Sequence, residues 1–315
     1  MSDPILGDSS GLDYVTFASD HRIYCSFFLA GLTILLYDHI LTLGMEVKYI
    51  WSSKLRPATC WFLAVRCVGL SASITMSVFY FGHMGQEVCV KMQLAWEVLL
   101  VIQEILIECT LGLRVLAVYG LNLWILTGLL GAGGVAASLA LVSDITDCPI
   151  LVSPSFEWAA VKYGHPQMLS APGLAGCHTA IPRTSALRLA GAWEAQLVCD
   201  TLVFALTVRC AYIQRRMSLR YRGTLVERMV TDGGMYFGII VLANLANLLT
   251  FYVGDVLLSG LLSWFTTSLS VTLLSRLMLN LHEAANVGID TAEPNTMELE
   301  SIGFQTVPTT IDARC

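Results

Sequence analysis

Three stretches of this chain, Leu121–Ser143, Met235–Gly254 and Val256–Ser275, run for about 20 residues each without one charged side chain. A helix needs roughly 20 mostly apolar residues to cross the hydrocarbon core of a bilayer. In lipid every backbone amide and carbonyl must find its partner within the protein, so such stretches are read as spanning α-helices. Four more stretches meet the length with a few ionisable residues inside: Ile23–Leu43, Thr59–Phe81, Leu94–Val118 and Leu189–Ile213. The reading is therefore an all-α polytopic membrane protein, a bundle of seven transmembrane helices. Composition agrees: 55% of the 315 residues are hydrophobic, 13% are charged, and mean hydropathy is +0.66. Soluble domains carry about 25% charged residues.

The sequence divides into an N-terminal tail (1–22), a membrane domain (23–281) and a C-terminal tail (282–315). Both tails are acidic and read as solvated, the second as disordered. Spans six and seven are separated by Gly254 and Asp255 alone, which predicts a tight antiparallel pair. The longest connection, Asp144–Arg188, holds five of the nine prolines and reads as a structured or semi-structured loop.

Basic residues favour the cytoplasmic side of a membrane. Lys48, Lys54, Arg56, Arg215, Arg216, Arg220, Arg222 and Arg228 lie on one side. Arg22, Lys91, Lys162, Arg183 and Arg188 are spread over longer stretches on the other. This predicts an outside N-terminus and a cytoplasmic C-terminus, with the plasma membrane favoured over internal membranes. Cys89, Cys148 and Cys177 then fall in outer loops, where disulfides persist. A bridge from Cys89 to the long loop would staple it over the bundle; Cys177 is preferred to Cys148 as partner, and an unbridged loop is the alternative.

Ionisable groups inside the hydrocarbon region are costly and demand partners. Asp38, near the inner end of span one, and Arg66 in span two sit at similar depths on consecutive helices, which predicts an intramembrane ion pair. Snorkelling of Arg66 to the headgroups is the alternative. Gln93, Glu97, Glu104 and Glu108 are spaced four, seven and four apart and share one face of span three. That carboxylate face must point into the bundle, where it binds a cation, relays protons, receives a basic ligand, or only bonds to neighbouring helices. Span five adds Trp193, Glu194, Gln196 and Asp200, and span six adds Asn244 and Asn247. Glu97, Glu194 and nearby aromatics, Trp96 and Trp193, are candidates for the lining of an outward-facing cavity.

Several classes are excluded. No span carries a lysine, which rules out a retinal Schiff base. Intramembrane histidines are too few for a zinc hydrolase, so no metal, no other cofactor and no enzyme activity is expected. A net charge of -6 gives no reason to expect nucleic acid. Two readings remain: a receptor-like sensor of an external ligand, with a possible cytoplasmic signalling partner at the basic 214–235 loop, or a proton- or cation-coupled transporter using the carboxylate face of span three. Against the second stand the absent internal repeats and the absent breaks within helices.

The stretch Tyr37-Asp38-His39-Ile40-Leu41-Thr42-Leu43, followed by Glu46-Val47-Lys48-Tyr49-Ile50-Trp51, resembles the opening signature of a fungal family of uncharacterised seven-span proteins carrying domain of unknown function 6533. Ala192-Trp193-Glu194-Ala195-Gln196, Met235-Tyr236-Phe237-Gly238 and Ser275-Arg276-Leu277-Met278 resemble later parts of the same family. The resemblance places the signature domain at about 23–70. It implies a membrane protein of unassigned activity, likened to G-protein-coupled receptors, and supplies no catalytic residues. The chain departs from the family pattern at Leu121-Asn122-Leu123 and Thr231, where basic residues are usual. Both changes remove positive charge from the expected inner face.

Overall fold

A computed structural model describes residues 14–51, 57–83, 85–120, parts of 122–131, 167–169, 176–180, 183–217, 225–254 and 258–291, with some side chains inside these ranges, Gln93 and Glu97 among them, not described. Among the described residues there are six long α-helices: α1 (Tyr14–Glu46), α2 (Pro57–Phe81), α3 (Gln86–Val118), α4 (Arg183–Met217), α5 (Leu225–Val253) and α6 (Ser263–Thr291). Two three-residue strands, β1 (Gln167–Leu169) and β2 (His178–Ala180), pair antiparallel within the long loop, a small β element in an otherwise helical protein. The expected span 121–143 lies mostly outside the described residues; Trp124, Ile125, Thr127, Gly128 and Gly131 are helical.

Four described helical stretches are long and apolar enough to cross a membrane: Thr16–Trp51, Pro57–Phe81, Leu189–Ile213 and Gly233–Val253. Their polarity is inside out relative to a soluble bundle. On α1, Ile40 is 77% exposed while Asp38 is 1% exposed. On α5, Leu242 is 67% exposed while Asn247 is fully buried. Apolar side chains on the outer surface and polar ones in the core are what a lipid solvent selects. The chain is thus a membrane protein with several apolar helices.

The helices outrun the apolar stretches. α1 begins at Tyr14 rather than after residue 22, α3 at Gln86 rather than 94, and α6 reaches Thr291, beyond the expected start of the tail at 282. A 33-residue helix such as α1 is roughly 50 Å long, more than the hydrocarbon core alone requires. Apolar composition marks only the part in hydrocarbon. The seventh stretch differs in the opposite direction. It begins as turns, with Leu261 N–H bonded to Leu258 O (3.1 Å) and Ser263 N–H to Gly260 O (3.0 Å), and becomes helical only at Ser263. Gly260, at φ 75°, closes over the Phe251 ring, so the reversal between the last two helices is wider than two residues.

α6 packs on α1, α2, α3 and α5, while α4 packs on α3 and pairs most extensively with α5. Close approach of α1 and α6 rests on Gly31, where a Cβ would stand 3.2 Å from Phe265 Cα. The main apolar core joins Leu35, Val65, Ile107, Leu111, Val203, Ile240 and Leu274. A second cluster, including Phe28, Phe79, Tyr80 and Trp264, fills one end of the bundle.

That end is closed by a strap. Cys89, in the first turn of α3, is disulfide-bonded to Cys177, with Cα atoms 5.7 Å apart. Cys177 N–H also donates to Phe79 O at 2.9 Å. The preceding Gly176 has φ 96°, and a Cβ there would lie 2.1 Å from Tyr80 O. Only glycine fits a left-handed residue pressed this closely on a neighbouring backbone. Cys148 lies outside the described residues.

Candidate functional site

Two polar layers cross the bundle interior. The first joins α3, α4, α5 and α6. Glu104, 4% exposed, accepts from Gln196 Nε2 at 2.7 Å through one oxygen and from Thr267 Oγ1 through the other. One carboxyl on α3 thereby ties down both α4 and α6. One turn further along α3, Glu108 faces Asp200 of α4. Asp200 also accepts from Asn244 Nδ2 of α5 at 2.6 Å. Asn247 accepts from Ser263 Oγ at 3.2 Å, closing the layer between α5 and α6.

The second layer joins α1, α2 and α6. α1 continues through a π-helical turn, Val47–Trp51, which buries Ile50 and carries Trp51 Nε1 to 3.3 Å from Glu46 Oε1. Glu46 Oε2 stands 3.3 Å from Arg66 Nε of α2. Arg66 Nη1 donates to Thr42 Oγ1 at 2.9 Å, and its guanidinium lies over the Phe62 ring. Asp38 accepts from Nε of Arg276 on α6. Two acids and two arginines thus balance in charge, as ionisable groups at membrane depth must.

The expected Asp38–Arg66 pair is therefore corrected: each residue is paired, but with another partner. Depth was the only criterion available, and it did not see two groups. Arg276 arrives from a helix far away in sequence. Glu46 belongs to a helix that the apolar stretch seemed to end at Leu43.

The other predicted residues separate. Glu104 and Glu108 lie in the first layer. The Glu97 backbone lies on α3, and its side chain is outside the described residues. Trp193 is 8% exposed and stacks on Phe251, with ring centroids 6.3 Å apart. Glu194 is exposed and accepts a hydrogen bond from Tyr252. Both take part in the α4–α5 contact, Trp193 through Phe251 and Glu194 through Tyr252. Thr42, Glu46, Ser263, Thr267 and Arg276 were not anticipated as site residues. Hydroxyls within apolar stretches give little warning, because they ordinarily bond back to their own helix. The side chains of the basic 214–235 loop up to residue 232 lie outside the described residues.

Residues 26–71 match a Family of unknown function (DUF6533). Asp38, Thr42, Glu46 and Arg66 all fall inside that match, so the matched segment supplies all but one of the second layer's members. The match covers most of α1, the π-helical turn and the first part of α2, a minority of the chain. No curated protein and no solved structure matches the sequence.

Proposed function

We propose that this membrane protein is a receptor-like sensor, with the strapped end outside the cell and the C-terminus in the cytoplasm. The observation that carries the reading is the Cys89–Cys177 strap, which pins the long loop to the ends of α2 and α3 above an aromatic cluster. A disulfide at this end fits an oxidising exterior. A ligand held under the strap would reach the first polar layer through α3 and α6. Glu104 is the pivot there, because its two oxygens hold different helices. Discrete interhelical bonds of this kind have a small number of alternative arrangements, which is what a two-state switch requires. Acidic Glu97 and Glu194 near this end favour a ligand bearing positive charge.

The test is a fluorophore on the 214–235 loop of the full chain in nanodiscs, titrated with a panel of small amines and other polar cations. The reading expects at least one saturable response that Glu104→Ala abolishes. No response across the panel counts against it.

A second reading, a proton-coupled carrier, is favoured by the facing carboxyl groups of Glu108 and Asp200. Against it, the four described spanning stretches run without a break at mid-membrane, whereas many carriers bind substrate at discontinuous helices. Proteoliposomes with an internal pH dye separate the two readings: proton flux driven by a substrate gradient would support the carrier.

A further inference from the structure

The hydroxyls of α6 divide into two groups. Thr266 donates to Ser263 O at 2.9 Å and Thr272 donates to Ser268 O at 2.8 Å, the usual bond back onto the helix, while the Thr267 hydroxyl is engaged by Glu104. Ser268 and Ser275 do not, although they are 2% and 1% exposed, and neither hydroxyl has a hydrogen-bond partner among the described residues. The buried indole N–H of Trp264 is also without one among the described residues. Residues 264, 268 and 275 fall on one face of the helix. That face looks into the seam with α1 and α2: Gly31 of α1 lies against Ser268, and Gly69 of α2 lies against Val271. Across the same seam comes Gln103 of α3, 1% exposed, its amide oxygen beside Gly69 and both amide atoms unpartnered. At the far end stand Asp38 Oδ2 and Arg66 Nη2, again without hydrogen-bond partners among the described residues.

A dry seam would leave all of these groups desolvated and unbonded, which buried donors and acceptors tolerate poorly. Unpaired polar groups are scattered and few in native interiors, and a contiguous row of them calls for a shared partner. Water meets the requirement, since a buried water takes two to four polar partners and these groups offer both donors and acceptors. The geometry points to a file of internal waters in the α1–α2–α6 seam, running from Trp264 past Ser268, Gln103 and Ser275 to the Asp38–Arg66 cluster. From residue 264 to 275 the helix rises roughly 16 Å, the length the file spans. Such a file gives protons a path from the strapped end to the charged layer. It does not depend on the sensor reading.

Hydroxyl-radical pulse labelling of the full chain in nanodiscs, read by mass spectrometry, tests it, because radicals form from bound water beside buried side chains. Trp264 is less exposed than Trp193, 3% against 8%, and Trp193 stacks on Phe251. The file predicts that Trp264 is labelled several-fold faster than Trp193. Labelling of Trp264 at or below the rate of Trp193 overturns the proposal. The triple variant Gln103→Leu, Ser268→Ala, Ser275→Ala provides a second arm. With waters bound, the variant lowers the Tm and brings Trp264 labelling down to the level of Trp193. A higher Tm shows that unbonded groups were removed from a dry seam, and rejects the file. Should the variant not fold, the wild-type labelling ratio alone decides.

Discussion

The two polar layers solve the same problem by different chemistry. Between α3, α4, α5 and α6, carboxyl groups are met by amides, a hydroxyl and one another, so a layer of short-range hydrogen bonds holds the helices together. Between α1, α2 and α6, carboxylates are met by guanidinium groups, and several polar atoms are left over. Full charges at membrane depth bind strongly but are costly to strand. Neutral hydrogen bonds between membrane helices contribute little apiece, averaging about 0.6 kcal/mol, because the separated helices find other partners. The charged layer therefore suits a fixed joint, and the hydrogen-bonded layer suits one that rearranges.

The largest expected effect breaks the charged layer. Arg66→Met strands Glu46 beside a side chain whose own exposure is 3%, and we expect a loss of about 3–5 kcal/mol in reversible unfolding in mixed micelles. Arg276→Met strands Asp38, but the arginine is 38% exposed and water screens the pair, so the loss should be clearly smaller than for Arg66→Met. Cys177→Ser opens a loop of 88 residues and should cost roughly 2–5 kcal/mol, read as a lower Tm under non-reducing conditions that added reductant no longer shifts. Asn244→Leu in the hydrogen-bonded layer should cost about 1 kcal/mol or less. The smallest effect belongs to Tyr252→Phe, which removes an exposed bond to Glu194 and should change stability by at most about 0.5 kcal/mol. If Asn244→Leu proves as damaging as Arg66→Met, the contrast between the layers is lost.

Much of this was legible in the residue pattern. Long apolar stretches announce spanning helices, since backbone in lipid has few alternatives. The spacing of Glu104 and Glu108 placed both on one inward face, and Gln196, Asp200, Asn244 and Asn247 stood out as polar groups in apolar surroundings. Partner choice was not legible. Asp38 and Arg66 share a depth, but which neighbours face them depends on the rotation of α1, α2 and α6 about their axes, and no periodicity in an all-apolar exterior reports that rotation. Helix ends were missed for a related reason. Polar first and last turns, as at Tyr14–Arg22 and Asn280–Thr291, are helical by continuation of the backbone ladder rather than by hydrophobicity. Thr267 and Ser263 were hidden because a hydroxyl on such a helix is usually satisfied by its own backbone.

The most direct test of the difference between the layers is a pair of double-mutant cycles on the full chain, Arg66 with Glu46 and Glu104 with Gln196, measured by reversible unfolding in the same mixed micelles. The account predicts a coupling of at least about 2 kcal/mol for the ion pair, and about 1 kcal/mol or less for the hydrogen-bonded pair. Equal couplings, or a stronger one at Glu104, would contradict it.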